Sequence, residues 1–195
     1  MAWSRRVLVM MMMSSLMVAY AASSTATRPD PNDAHLMARW LVASSSWAVI
    51  STTSLHLKGA AWGNVADVSD GAPTNSSGVP YFYLTMLDPT PQDLQANPKC
   101  SVTFSEHPFG TCGNLDAEDP RCAKLSLYGE MNLLQENSSD FVFGKQSLFS
   151  KHPQMKDWPS QHKFNVYRLN IEDIFLIDYF GGPKKLNVSE YFKVV

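Results

Sequence analysis

Between Ala48 and Leu87 the chain reads "AVISTTSLHLKGAAWGNVADVSDGAPTNSSGVPYFYLTML". Three segments rich in β-branched and aromatic residues follow one another with only turn-like stretches between them. Parallel strands need a crossover of about a dozen residues or more, usually a helix. None fits here, so a doubly wound parallel sheet is excluded and antiparallel neighbours are expected.

The first strand runs from about Ala48 to Ser54. The second is "WGNVADVSDG", closing at the turn signal Asp70-Gly71. The third is "VPYFYLTML", with Pro80 at its start, where a missing N–H is tolerated. "TPQDLQANP" gives a short helix or turn before strand four, "KCSVTFSE". "CAKLSLYGEMNLL" reads as strand five, and Gly129 marks a bulge or sharp bend. "FNVYRLNI" and "DIFLIDYF" read as two final strands, ended by Gly181-Gly182-Pro183.

Helices are fewer. Asp30 is the expected N-cap of a helix with Pro31 at its first position, burying Met37, Trp40 and Leu41 beside Leu36. "SSDFVFGKQSLFSKH" fits a second, capped by Ser138 or Ser139, and "VSEYFKV" a short third. Six to seven short, mainly antiparallel strands with few helices give an α+β class, a closed or nearly closed β-barrel with helices at its rim.

The first residues read as targeting rather than structure. Arg5 and Arg6 precede an apolar run, and Ala19-Tyr20-Ala21 is a small-x-small cleavage signal. The expected organisation is a signal peptide at 1–21, a short segment at 22–34 and one domain at 35–195. No segment of the mature chain is expected to span a membrane, since a span needs about 20 apolar residues. Removing Arg5 and Arg6 leaves 14 basic residues against 18 acidic ones. The basic residues are scattered, which argues against a nucleic-acid partner.

An oxidising compartment gives meaning to the three cysteines. Cys112 and Cys122 flank the polar "GNLDAEDPR", and a bridge between them would contribute roughly 3 kcal/mol. Cys100 shares a strand face with Val102 and Phe104 and reads as a buried free thiol. The same compartment makes Asn75, Asn137 and Asn187 expected glycosylation sites, each heading an Asn-x-Ser sequon.

No phosphate-binding glycine loop, nucleophile elbow or His-Glu-x-x-His motif occurs. No catalytic residue and no metal site is assigned. The stretch "KHPQMKDWPSQH" (151–162) holds metal- and proton-binding side chains. It mixes a soft thioether, Met155, with a hard carboxylate, Asp157, and Pro153 and Pro159 prevent helical pairing of His152 with His162. It reads as a helix-ending turn anchored by Trp158. Asp178 either orients a ligand at the barrel mouth or caps the Gly-Gly turn.

"SGVPYFYL" (77–84), "SLFSKHPQMKDWPSQH" (147–162) and "DYFGGPK" (178–184), with the block 51–71 and the paired cysteines, resemble the CREG family of secreted glycoproteins. The resemblance spans about residues 35–195. It implies an FMN-binding split barrel similar to pyridoxamine-phosphate oxidases, a homodimer, a protein or receptor partner, and a secreted, extracellular or endosomal–lysosomal location. If flavin bound, Ser51, Thr52, Thr53 and Lys58 would hold its phosphate. No arginine accompanies them, the nearest being Arg39, so no cofactor is expected. The expected function is binding as a non-catalytic homodimer; the alternative is an FMN-dependent oxidoreductase of the secretory or lysosomal pathway.

Overall fold

The computed structural model describes residues 27–72 and 74–194; the expected signal peptide lies outside them. The chain runs α1 (Ala34–Ser44), β1 (Trp47–Thr53), β2 (Ala61–Ser69), β3 (Tyr81–Leu84), α2 (Pro89–Ala96), β4 (Lys99–Ser105), β5 (Lys124–Leu133), α3 (Ser139–Lys151), β6 (Asn165–Ile177), β7 (Lys184–Leu186) and α4 (Val188–Lys193). All strand pairings are antiparallel. The sheet order is β3-β2-β1-β4-β5-β6-β7, and β3 also pairs with β6. Six strands therefore close into a barrel, and β7 extends it from β6. This is the α+β barrel expected from the sequence.

Strand alternation fills the barrel. Ala48 and Ile50 of β1, Val102 and Phe104 of β4, and Leu125 and Leu127 of β5 are all essentially inaccessible. Met37, Trp40 and Leu41 of α1 belong to the same core, so α1 packs into it with its apolar face. Cys100 is buried and unpaired, and desolvation pushes its thiol pKa up to about 12. It is inert at physiological pH.

A smaller core lies beneath α3, where Leu148 and Met155 meet Tyr81 and Val166. Gly144 permits this approach, since a Cβ there would come within 2.5 Å of the Tyr81 ring.

Three details differ from the sequence reading. Asp30 caps only a turn, and the N-cap of α1 is Asp33, whose carboxylate accepts from Leu36 N at 3.0 Å. Residues 165–177 form one strand rather than parts of two. The apparent break is a bulge: Tyr128 pairs with Asp173 and Gly129 with Ile171, leaving Glu172 as the extra residue. Gly129 sits where its own Cβ would lie 1.9 Å from the Asn170 carbonyl oxygen. Finally, three residues after Gly-Gly-Pro pair with β6 as β7.

Candidate functional site

Strand alternation separates the residues expected to hold a flavin phosphate. Ser51 and Thr53 face outward from β1, while Thr52 points inward with Ile50. Thr52 Oγ1 donates to Asp93 Oδ2 at 2.7 Å, and Asp93 Oδ1 accepts from Leu55 N at 2.8 Å. Thr52 thus ties β1 to α2. Lys58 is exposed in the β1–β2 turn, with a left-handed backbone (φ 56°).

Arg39 is engaged elsewhere. It is buried on α1, and its guanidinium donates to the Ser76 carbonyl at 2.8 Å and the Ser77 carbonyl at 3.0 Å. Tyr191 of α4 lies beneath it, 5.4 Å from ring centroid to Cζ, and donates to the Gly78 carbonyl at 2.7 Å. Asp70 Oδ2 accepts from Gly78 N at 3.1 Å. Burial raises the Tyr191 phenol pKa, so it stays a neutral donor. Together they fix the loop that carries Asn75. Thr52 faces away from Ser51 and Thr53 and is bonded to Asp93, and Arg39 is held by the 76–77 carbonyls, so neither of these two side chains is free to meet an FMN phosphate beside Ser51 and Thr53.

The structure places a different cavity at the split in the barrel. β2 and β3 pair only at Val68–Phe82 and Ser69–Tyr81, then diverge. The opening is a cavity of about 240 Å³, bordered by residues 64–67 of β2 and by Tyr83 and Leu84 of β3. Trp158 and Phe164 form its aromatic wall with Tyr83. The Trp158 and Phe164 centroids are 4.7 Å apart, and Tyr83 stacks on Phe164 at 5.2 Å. Two carboxylates, Asp67 and Asp88, line the cavity, and no lysine or arginine does. Asp88 also caps α2, accepting from Thr90 N at 2.7 Å and from Asn64 Nδ2 at 2.9 and 3.0 Å.

The stretch 151–162 supports this wall. His152 ends α3 and is buried, its Nε2 3.0 Å from the Val68 carbonyl oxygen. A short 3-10 turn (Pro153–Asp157) follows and buries Met155. His152 and His162 are not brought together as ligands: one faces β2, while the other lies beside the Phe164 ring.

At the N-terminal side Cys112 and Cys122 form a disulfide. Beside it Glu106 is buried and accepts from Arg28 Nε at 2.6 Å, Thr111 Oγ1 at 2.7 Å and Ala123 N at 2.8 Å. Glu106 and the two sulfurs lie within 4.8 Å of one another, but the bridged sulfurs are not thiolate ligands. Asp178 is buried in an ion pair with Lys184 Nζ at 2.6 Å across the β6–β7 turn, and its carboxylate accepts no hydrogen bond from the Gly-Gly backbone. Asn75, Asn137 and Asn187 are all exposed. Asn187 Oδ1 caps α4 by accepting from Ser189 N at 2.8 Å, a role compatible with a sugar on Nδ2.

The outer sheet face carries apolar groups in register. Val65, Val49, Thr103, Ser126 and Phe175 form one cross-strand row, with Val65 62% and Phe175 39% exposed. Trp47 and Tyr128 stand on the same face. Among the described residues no helix is long and apolar enough to cross a membrane.

A six-stranded antiparallel barrel split between β2 and β3 defines a split-barrel protein. Among solved structures the chain is similar to a heme binding protein from Mycobacterium smegmatis, with TM-score 0.67, 14% identity and coverage of 86% of this chain and 62% of that one. It is also similar to a protein related to general stress protein 26 (pyridoxinephosphate oxidase family) from Clostridium acetobutylicum, with TM-score 0.55, 14% identity and coverage of 80% and 96%. These likenesses show the fold alone. The CREG beta-barrel family profile matches residues 29–193. Human Protein CREG2 is 39% identical over 171 residues, covering 86% of this chain and 58% of its own length. Chicken (Gallus gallus) Protein CREG1 is 36% identical over 182 residues, covering 90% and 94%. The chain belongs to the CREG family.

Proposed function

We propose that this chain is a secreted or endolysosomal glycoprotein that acts by binding, as a non-catalytic homodimer on an oxidase-like barrel. The observation that carries this reading is that Thr52 and Arg39 are committed to other partners. Thr52 is bonded to Asp93, Arg39 to the 76–77 carbonyls, and Lys58 stands alone on an exposed turn. With Thr52 and Arg39 engaged and, among the described residues, no other arginine beside Ser51 and Thr53, the charge of a flavin phosphate would be poorly met, which supports a barrel that keeps the architecture of an oxidase without its redox group.

The outer row of Val65, Val49 and Phe175 supports the dimer. With Thr103 and Ser126 between its apolar ends, it offers a sheet face for a second copy, and a stable pair buries about 800 Å² per partner. The three exposed sequons and the disulfide support an oxidising, secretory route. A protein or receptor partner would then recognise the surfaces or glycans that the dimer leaves exposed.

The test is expression of the full chain in a eukaryotic host, with N-terminal sequencing and deglycosylation followed by mass measurement. Cleavage near Ala21 and loss of sugar mass from Asn75, Asn137 or Asn187 are expected. An uncleaved chain without glycans would refute the secretory part.

A further inference from the structure

We infer that the cleft between β2 and β3 binds a small aromatic amine, its ring against the Trp158–Phe164–Tyr83 wall and its ammonium at Asp67. This goes beyond the binding reading above, because it assigns a site and a ligand class to the barrel itself.

Size limits the occupant. A cavity of about 240 Å³ accommodates a single ring with a short arm, and lies just under the range usual for drug-sized ligands, about 300–1,000 Å³. A whole flavin nucleotide is too large for it.

The wall selects for an aromatic or cationic group. Tyr83 stacks nearly parallel to both Trp158 (21°) and Phe164 (24°), and those two are tilted 44° to each other, so the three rings form one packed aromatic cluster rather than isolated contacts. The negative faces of such rings attract cations, tryptophan most strongly.

Charge sets the sign. The two carboxylates among the lining residues face no lining cation, so a phosphate or carboxylate entering here meets like charge. Asp88 is already hydrogen-bonded to Asn64 and Thr90, which leaves Asp67 as the available anion. Asp67 Oδ2 lies 3.9 Å from His152 Nδ1. His152 Nε2 faces a carbonyl, which can only accept, so Nε2 carries the ring hydrogen in the neutral form. At 3.9 Å, Nδ1 is too far from Asp67 for a hydrogen bond. The edge of β2 from Asn64 to Asp67 has no partner in β3 but pairs with β1 on its other side, so only its alternate carbonyls, those directed away from β1, are open to an ammonium group.

Calorimetric titration of the purified full-length glycoprotein tests this with three probes: phenethylammonium, phenylacetate and FMN. The first two share a ring and differ in charge. Phenethylammonium should bind at least tenfold more tightly than phenylacetate, with no heat from FMN. Asp67→Asn should weaken phenethylammonium at least tenfold, while Glu118→Gln, at an exposed acid far along the chain, should leave it unchanged. Circular dichroism shows that the variant is folded, and tryptophan quenching by the probe that disappears in Trp158→Phe shows that it reaches the wall.

Equal binding of phenylacetate or FMN, undiminished binding by Asp67→Asn, or no binding of the amine by folded protein would each overturn the assignment. Colour and mass of the same preparation report separately on the non-catalytic dimer, so failure of one reading is distinguishable from failure of the other.

Discussion

Lys151 Nζ, at the end of α3, donates to the Ser45 carbonyl at 2.6 Å and to the Ala43 carbonyl at 2.9 Å, at the end of α1. A cation from one helix thus caps the orphan carbonyls of another, 106 and 108 residues away in sequence. Burial lowers the Lys151 ammonium pKa, partly offset by Asp70. Replacing it with methionine keeps the stem and removes the donors. Lys151→Met should cost about 2 kcal/mol, read as a lower urea midpoint with an unchanged m-value. An unaltered midpoint would show that the cap contributes nothing.

Glu106 supplies a pH dependence of known sign. Burial acts to raise its carboxyl pKa, but Arg28, the Ala123 amide and Thr111 outweigh it and hold the group below the ordinary glutamate range. A folded-state pKa below the unfolded one gives stability that is present above the unfolded value and lost as pH falls through the folded one. Glu106→Gln should therefore destabilise by about 2 kcal/mol at neutral pH, and its difference from wild type should shrink below about pH 4. Melting curves at several pH values decide this; a gap that stays constant into strong acid would contradict the ion-pair origin.

The disulfide closes the loop whose Arg121 carbonyl accepts from Arg28 Nη2 at 3.2 Å. Cys112→Ser with Cys122→Ser should lose about 3 kcal/mol by the chain-entropy argument. The fall in melting temperature should match that of wild type under reducing conditions. Wild type insensitive to reductant would count against a contribution from the bridge.

Gly129→Ala forces a Cβ to within 1.9 Å of the Asn170 carbonyl oxygen, a backbone atom that cannot swing aside. Overpacking of this kind costs about 1–3 kcal/mol or more. Denaturant titration should show such a loss; a neutral substitution would mean that the β5–β6 bulge adapts freely.

Much of the barrel was legible because period-two alternation is a local signal. Cys100, Val102 and Phe104 all point inward as their spacing indicates. Gly129 announced the bulge, but Glu172 did not, since an extra residue is a property of a strand pair and not of one strand. The charges at Glu172 and Asp173 therefore looked like a strand end. Residues 184–186 are too few to show any periodicity. The cleft was not legible either: Asp67, Tyr83 and Trp158 meet only because β2 leaves β3 after two pairs. Arg39 stood out as the nearest arginine, yet its partners Ser76 and Ser77 lie in a loop whose path no local pattern reveals.

The proposed barrel binds without a redox group. The most direct test is the visible absorption spectrum of native protein from a eukaryotic host, recorded with light-scattering mass on the same sample before and after dialysis against added FMN. A colourless glycosylated dimer that fails to retain FMN is the expected result. A yellow protein that keeps its flavin through dialysis, and loses the colour on changing Ser51 or Thr53, would contradict it.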